Sequence, residues 1–157
     1  SKVLTDGHVT LMDVPRSQFG VASFLPVPVE AMLILASLPN SIGRIHKDGI
    51  DRKAALNIPI LNTSDSWVEW PEPEAYDKRP LVSVKKGYAN IRRPQGEPGD
   101  LREAPRILDR LEVLTPCVIN TDEWHRANNG ANAHFRYLMT IRFRGNPSFD
   151  ELAAAFS

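Results

Sequence analysis

The apolar residues of this chain come in short runs, and almost every run is closed by Gly, Pro, Asn or Asp. Thirteen prolines and nine glycines supply the breaks. The runs read as strands over Phe19–Phe24, Ile42–His46, Ala54–Leu61, Ser66–Glu69, Leu81–Val84, Leu111–Leu114, Cys117–Asn120 and Arg136–Arg144. Between most of them no helical periodicity is long enough to carry a parallel crossover. The pattern therefore predicts an all-β core, an antiparallel sandwich or barrel, with a few short flanking helices.

Two helices are expected. Glu30–Leu38 is apolar, with Pro28 ahead of its first turn and Pro39-Asn40 after its last. Ser148 with Glu151 three residues on forms a capping box before an alanine-rich helix over 148–156. Residues up to Gln18 read as an edge strand or arm, Asn128-Asn129-Gly130 as a turn, and Arg92–Pro105, rich in Pro, Gly and charge, as a long surface loop. A length of 157 residues fits one domain, with residues 1–40 as N-terminal support, 41–144 as the core that carries the chemistry, and 148–156 as the closing helix.

Lysine plus arginine equals aspartate plus glutamate at 19 each, so no global field draws the chain to nucleic acid or to an anionic membrane. The apolar run Val27–Leu38 is too short and too interrupted to span a bilayer. One cysteine, Cys117, rules out an intramolecular disulfide framework and reads as a small buried side chain. With no secretory pattern at its start, the chain is expected in the cytoplasm.

The chemistry is concentrated in three segments. Gly43-Arg44-Ile45-His46-Lys47-Asp48-Gly49 places a histidine and an aspartate two residues apart at a strand edge, so both side chains leave the same side of the backbone. His125 follows a strand that ends in the polar turn Thr121-Asp122-Glu123. Two neutral imidazoles and one carboxylate can occupy one face of an octahedral metal and leave the other positions open. The third segment, Arg136–Phe143, alternates: Arg136, Leu138, Thr140 and Arg142 share one face, while Tyr137, Met139, Ile141 and Phe143 share the other. Two arginines are too costly to bury unpaired, so the first face meets either solvent or a cavity that binds an anion. A guanidinium holds a carboxylate through two parallel hydrogen bonds.

The order His46-x-Asp48, His125, Arg136 resembles the Fe(II)- and 2-oxoglutarate-dependent dioxygenases. His-x-Asp-Gly, then Leu56-Asn57-Ile58-Pro59-Ile60, then Trp67 is similar to small bacterial and phage members related to prolyl and aspartyl/asparaginyl hydroxylases, and the likeness runs from Ser41 to Phe143. The resemblance implies a double-stranded β-helix (jelly roll, cupin-like), with His46, Asp48 and His125 as metal ligands and Arg136 on the distal carboxylate of the cosubstrate. It implies Fe(II), 2-oxoglutarate and dioxygen, with succinate and CO2 released as a small molecule or peptide side chain is hydroxylated in a bacterial or phage-infected cell.

Asn57 and Arg142 are further candidates toward cosubstrate, and Arg142 is alternatively a partner for Asp48 or for a substrate carboxylate. Trp67, Trp70 and Trp124 read as core or rim residues that can also wall a pocket, and His134 as a turn residue. The spacing Arg136-x-Leu138-x-Thr140-x-Arg142 also resembles the nucleic-acid demethylating branch, but Leu138 stands where that branch has asparagine. Two other readings compete: a jelly-roll binding or structural module without catalysis, as in a viral particle, and a cupin-like metal enzyme without 2-oxoglutarate.

Overall fold

The computed structural model describes residues 8–48, 52–77, 81–85, 88–91 and 105–157. The loop expected at 92–105 lies, apart from Pro105, outside them. In chain order the strands are β1 (His8–Asp13), β2 (Val29–Ser37), β3 (Ser41–Ile42), β4 (His46–Lys47), β5 (Ala54–Leu61), β6 (Trp67–Pro71), β7 (Leu81–Lys85), β8 (Tyr88–Ile91), β9 (Ile107–Glu112), β10 (Cys117–Asn120), β11 (Arg126–Asn129) and β12 (Arg136–Phe143). The helices are a 3-10 segment Arg16–Ala22, α1 (Glu74–Asp77) and α2 (Phe149–Phe156). No described helix is long and apolar enough to cross a membrane.

The expected antiparallel β architecture is present. One sheet runs β1-β2-β12-β5-β10, a second runs β3-β11-β6-β9, and a small third runs β4-β8-β7. Four of the seven pairings in the two larger sheets are nested: β2 with β12, β3 with β11, β5 with β10, and β6 with β9, all antiparallel. The innermost pair, β6 and β9, is closest in sequence, and each outer pair encloses the one before it. Positive-φ residues such as Asn62 (54°), Asp65 (54°) and Gly145 (81°) turn the chain between strands, as Asn, Asp and Gly do at low cost.

Three local expectations are corrected. Glu30–Leu38 is not a helix but most of β2, which lies between β1 and β12. A strand covered on both faces is apolar at consecutive positions, so its run loses the two-residue alternation and looks like a buried helix. Phe19–Phe24 is not a strand; Phe19–Ala22 belongs to the 3-10 segment, whose Phe19 and Ala22 pack on the core. Asn128 and Asn129 do not form a turn but end β11. Asn128 donates to Glu69 Oε1 (2.9 Å), and Asn129 donates to the carbonyls of Leu38 (2.7 Å) and His134 (3.1 Å), so side-chain bonds hold a segment whose composition favours turns.

The central sheet separates two environments. On its outer side Met32, Leu56, Ile141 and Phe143 pack with Leu152 of α2, which is fully buried. Its capping box holds α2 there: Ser148 Oγ accepts from the Glu151 N–H (3.2 Å), and Glu151 Oε2 accepts from the Ser148 N–H (2.8 Å). On the inner side Leu138 meets Val68 and Val113 from the second sheet, with Trp70 and Cys117 packed against them. Cys117, expected to be buried, is only partly so, and that partial burial raises the pKa of its thiol. The register puts Ser37, Arg136, Leu138, Thr140 and Asn57 on this inner face: Arg136 pairs with Ser37, Leu138 with Leu35, and Thr140 with both Leu33 and Asn57.

Candidate metal centre

His46 and His125 come from remote segments and are joined by backbone. Each N–H donates to the other's carbonyl at 2.9 Å, an isolated antiparallel bridge, and the imidazole centroids lie 4.5 Å apart. Asp48 is tied to the same place because its N–H donates to the Thr121 carbonyl (3.1 Å). The structure thus brings together three of the residues singled out in the sequence. One donor atom from each of His46, Asp48 and His125 lies within 4.8 Å of the other two, a set able to hold a metal ion.

The orientation of the rings fits that use. His46 Nδ1 lies 2.8 Å from the Arg44 carbonyl, and His125 Nδ1 lies 2.8 Å from the Glu123 carbonyl. A carbonyl oxygen only accepts, so both Nδ1 atoms carry the proton and both neutral rings present an unprotonated Nε2. Those Nε2 atoms face one oxygen of the acid: Asp48 Oδ1 is 3.2 Å from His46 and 3.7 Å from His125. Backbone carbonyls that fix the second nitrogen are a regular feature of histidine metal ligands.

The electrostatics agree. Burial, with His46 beside it, pulls the His125 pKa down to about 4, so the imidazole is neutral and its lone pair free at neutral pH. Burial works against the charge of Asp48, but its interactions with His46, His125 and Arg52 together outweigh it and hold the carboxyl below its usual range. The centre is screened from water, with side-chain exposures of 21% for His46, 14% for Asp48 and 8% for His125.

Arg136, Asn57 and Arg142 do not join this cluster through any described polar contact. They line the inner face of the central sheet. Arg136 is buried, and its Nη2 donates to Ser37 Oγ (3.0 Å), while Nε and Nη1 are buried with no hydrogen-bond partner among the described residues. Desolvation lowers its pKa to about 10, which leaves it charged at neutral pH. Asn57 Oδ1 and Arg142 Nε are buried without partners in the same way. Each such group costs about 1–3 kcal/mol, so this face carries hydrogen-bonding capacity that the described residues leave unused. Arg142 follows Ile141, which pairs with Leu56, itself opposite Val118 two residues before the end of β10. It is therefore nearer the level of Thr121 and the triad, and Arg136 is towards the far end of the strand.

Arg142 forms no ion pair with Asp48; the arginine beside that acid is Arg52, at 3.8 Å from Oδ2. Nothing in the sequence singled out Arg52, nor Thr121 or Ser37. The i,i+4 spacing of Asp48 and Arg52 was the available signal for the first, but outside a helix it places no two side chains together. Of the tryptophans, Trp124 is buried and donates to Asp77 Oδ1 (2.7 Å), with Lys47 Nζ 5.1 Å from its ring. Trp70 donates to the Asn120 carbonyl (3.0 Å), whereas Trp67 lies under the Arg110 guanidinium, 5.3 Å away. Trp70 and Trp124 line a groove of about 850 Å³ that also takes in Lys47, Asn120 and Glu123 and flanks the triad without including its ligands or Arg136. His134 is exposed, as a turn residue would be.

No protein-family model and no curated protein matches this chain.

Proposed function

We propose that this protein is an Fe(II)- and 2-oxoglutarate-dependent oxygenase built on a double-stranded β-helix, acting on a small molecule or a peptide side chain. The observation that carries the proposal is the triad: two imidazoles with their Nε2 lone pairs turned to one oxygen of one carboxylate, each imidazole fixed by a backbone carbonyl. Two histidines and a carboxylate on one side of a metal are the ligand set of non-haem Fe(II) oxygenases. The nested strand pairing supports the fold, since a long hairpin rolled into two sheets is the topology of a jelly roll.

His46 and His125 would hold the metal through Nε2, and Asp48 would hold it through Oδ1 and offset part of its charge. Bound iron with 2-oxoglutarate supplies the oxidising chemistry, in which dioxygen is consumed, succinate and CO2 are released and an unactivated C–H bond is hydroxylated. Arg136 would take the distal carboxylate of 2-oxoglutarate, for which its unused Nε and Nη1 offer donors on two edges of the guanidinium. Asn57 and Arg142 would add polar lining nearer the metal. The apolar contacts of Leu138, Val68 and Val113 keep water away from that guanidinium, which strengthens its hold on an anion.

Anaerobic addition of Fe(II) and 2-oxoglutarate tests the proposal. The expected result is a visible metal-to-ligand charge-transfer band, lost in Asp48→Ala and His125→Ala and shifted to about 100-fold higher 2-oxoglutarate concentration in Arg136→Met, a change equivalent to about 2.7 kcal/mol. A folded wild-type protein that develops no band would overturn the proposal and leave a jelly-roll binding module.

A further inference from the structure

Asp48 has two oxygens, and the structure uses them differently. Oδ1 faces the two Nε2 atoms, whereas Oδ2 faces Arg52 Nη1 at 3.8 Å. The Arg52 side chain is only 13% exposed, so this pair is poorly screened by water. A single buried residue secures both halves of it. Thr121, 2% exposed, accepts the Asp48 N–H on its carbonyl (3.1 Å), donates from Oγ1 to the Arg52 carbonyl (2.8 Å), and donates its N–H to the Lys53 carbonyl (3.1 Å). These bonds hold the backbones of Asp48 and Arg52 beside each other.

We infer that Arg52 is a positioning residue that withholds Oδ2 from the metal, so that Asp48 binds through one oxygen, and that Thr121 fixes Arg52 in the place where it does this. The inference rests on the metal reading given above. A carboxylate free at both oxygens can bind a cation in either one- or two-oxygen fashion. In a three-ligand site the second mode fills a position that a cosubstrate or dioxygen needs. A guanidinium on the outer oxygen favours the first mode, and it acts on the number of open positions rather than on the fold.

The test is the number of exchangeable waters on Mn(II) bound to the apoprotein, read from the relaxation of bulk-water protons, with Mn(II) affinity measured in parallel. Six-coordinate Mn(II) on three protein ligands keeps about three waters. Arg52→Met is expected to lose about one of them as Oδ2 turns to the metal, while Arg52→Lys, which keeps a cation near Oδ2, retains the wild-type number. Thr121→Val removes only the Oγ1 bond and is expected to give an intermediate loss; it carries the test if Arg52→Met does not fold. Wild-type water number in both Arg52→Met and Thr121→Val would overturn this inference and leave the metal reading intact. Failure of wild-type protein to bind Mn(II) or Fe(II) at all would overturn both.

Discussion

The two faces of the central sheet are made by the same strands and could hardly differ more. Outward, Met32, Leu56, Ile141 and Phe143 meet Leu152 in an all-apolar layer. Inward, two residues along from a hydrophobic contact at Leu138, the same strand β12 buries the Arg136 guanidinium against one hydroxyl, with Asn57 and Arg142 also short of partners. The outer face stabilises the chain by removing carbon from water, and nothing further is needed to complete it. The inner face spends stability on groups that a bound anion would satisfy. Structural and functional burial are thus separated by the two-residue period of a strand.

Substitutions on the two faces should therefore have opposite signs. The largest effect is expected outside: Leu152→Ala, which empties a fully buried site between α2 and the sheet, should lower stability to denaturant by about 2–5 kcal/mol while leaving Mn(II) affinity unchanged. A loss of metal affinity as large as the loss of stability would show that the faces are not independent. Next, the metal-free protein should lose stability on acidification. With the native His125 pKa near 4 and an unfolded value near 6.5, the unfolded chain binds the extra proton between those limits, so stability rises with pH across that window and falls by up to about 3 kcal/mol on going from pH 6.5 to 4. Asp48, lowered as well, adds to the loss at more acid pH. Chemical denaturation at a series of pH values measures this, and His125→Asn should flatten the slope where Leu152→Ala keeps it. The smallest effect has the opposite direction: Arg136→Met, which replaces a buried and incompletely paired charge by a side chain of similar length, should raise stability by about 1–3 kcal/mol. A destabilised Arg136→Met would mean that this guanidinium is part of the core.

What the sequence made legible follows the range of the interactions involved. Ala54–Leu61 and Cys117–Asn120 were readable residue for residue, and the capping box of α2 was readable from Ser148 and Glu151 alone, because turn residues and caps act locally. The alternation of β12 was readable for the same reason. β2 was misread because its burial on both faces is decided by β1, β12 and the layers above and below it. In the candidate site, His46 and Asp48 share a short segment and so could be paired by spacing. The meeting of His46 with His125 is a backbone bridge between distant parts of the chain, and no local pattern encodes it. Arg52 and Thr121 escaped notice because an arginine in a loop and a threonine at a strand end are the commonest of surface residues until the fold puts them under one carboxylate.

The nested pairing of strands also has a consequence in time. Among the nested pairs β6 and β9 are the nearest in sequence and β2 and β12 the farthest, so closing them from the innermost pair outward brings the ends together last. Loop-closure entropy makes such long-range pairing slow. His46 and Asp48 precede most of the sheet-forming chain, and they gain their partner only when β11 docks against β3, next to the outermost pair. A chain emerging from a ribosome would present the first two ligands long before it could close a site around an ion, and the ability to capture metal would mark the end of folding rather than its start.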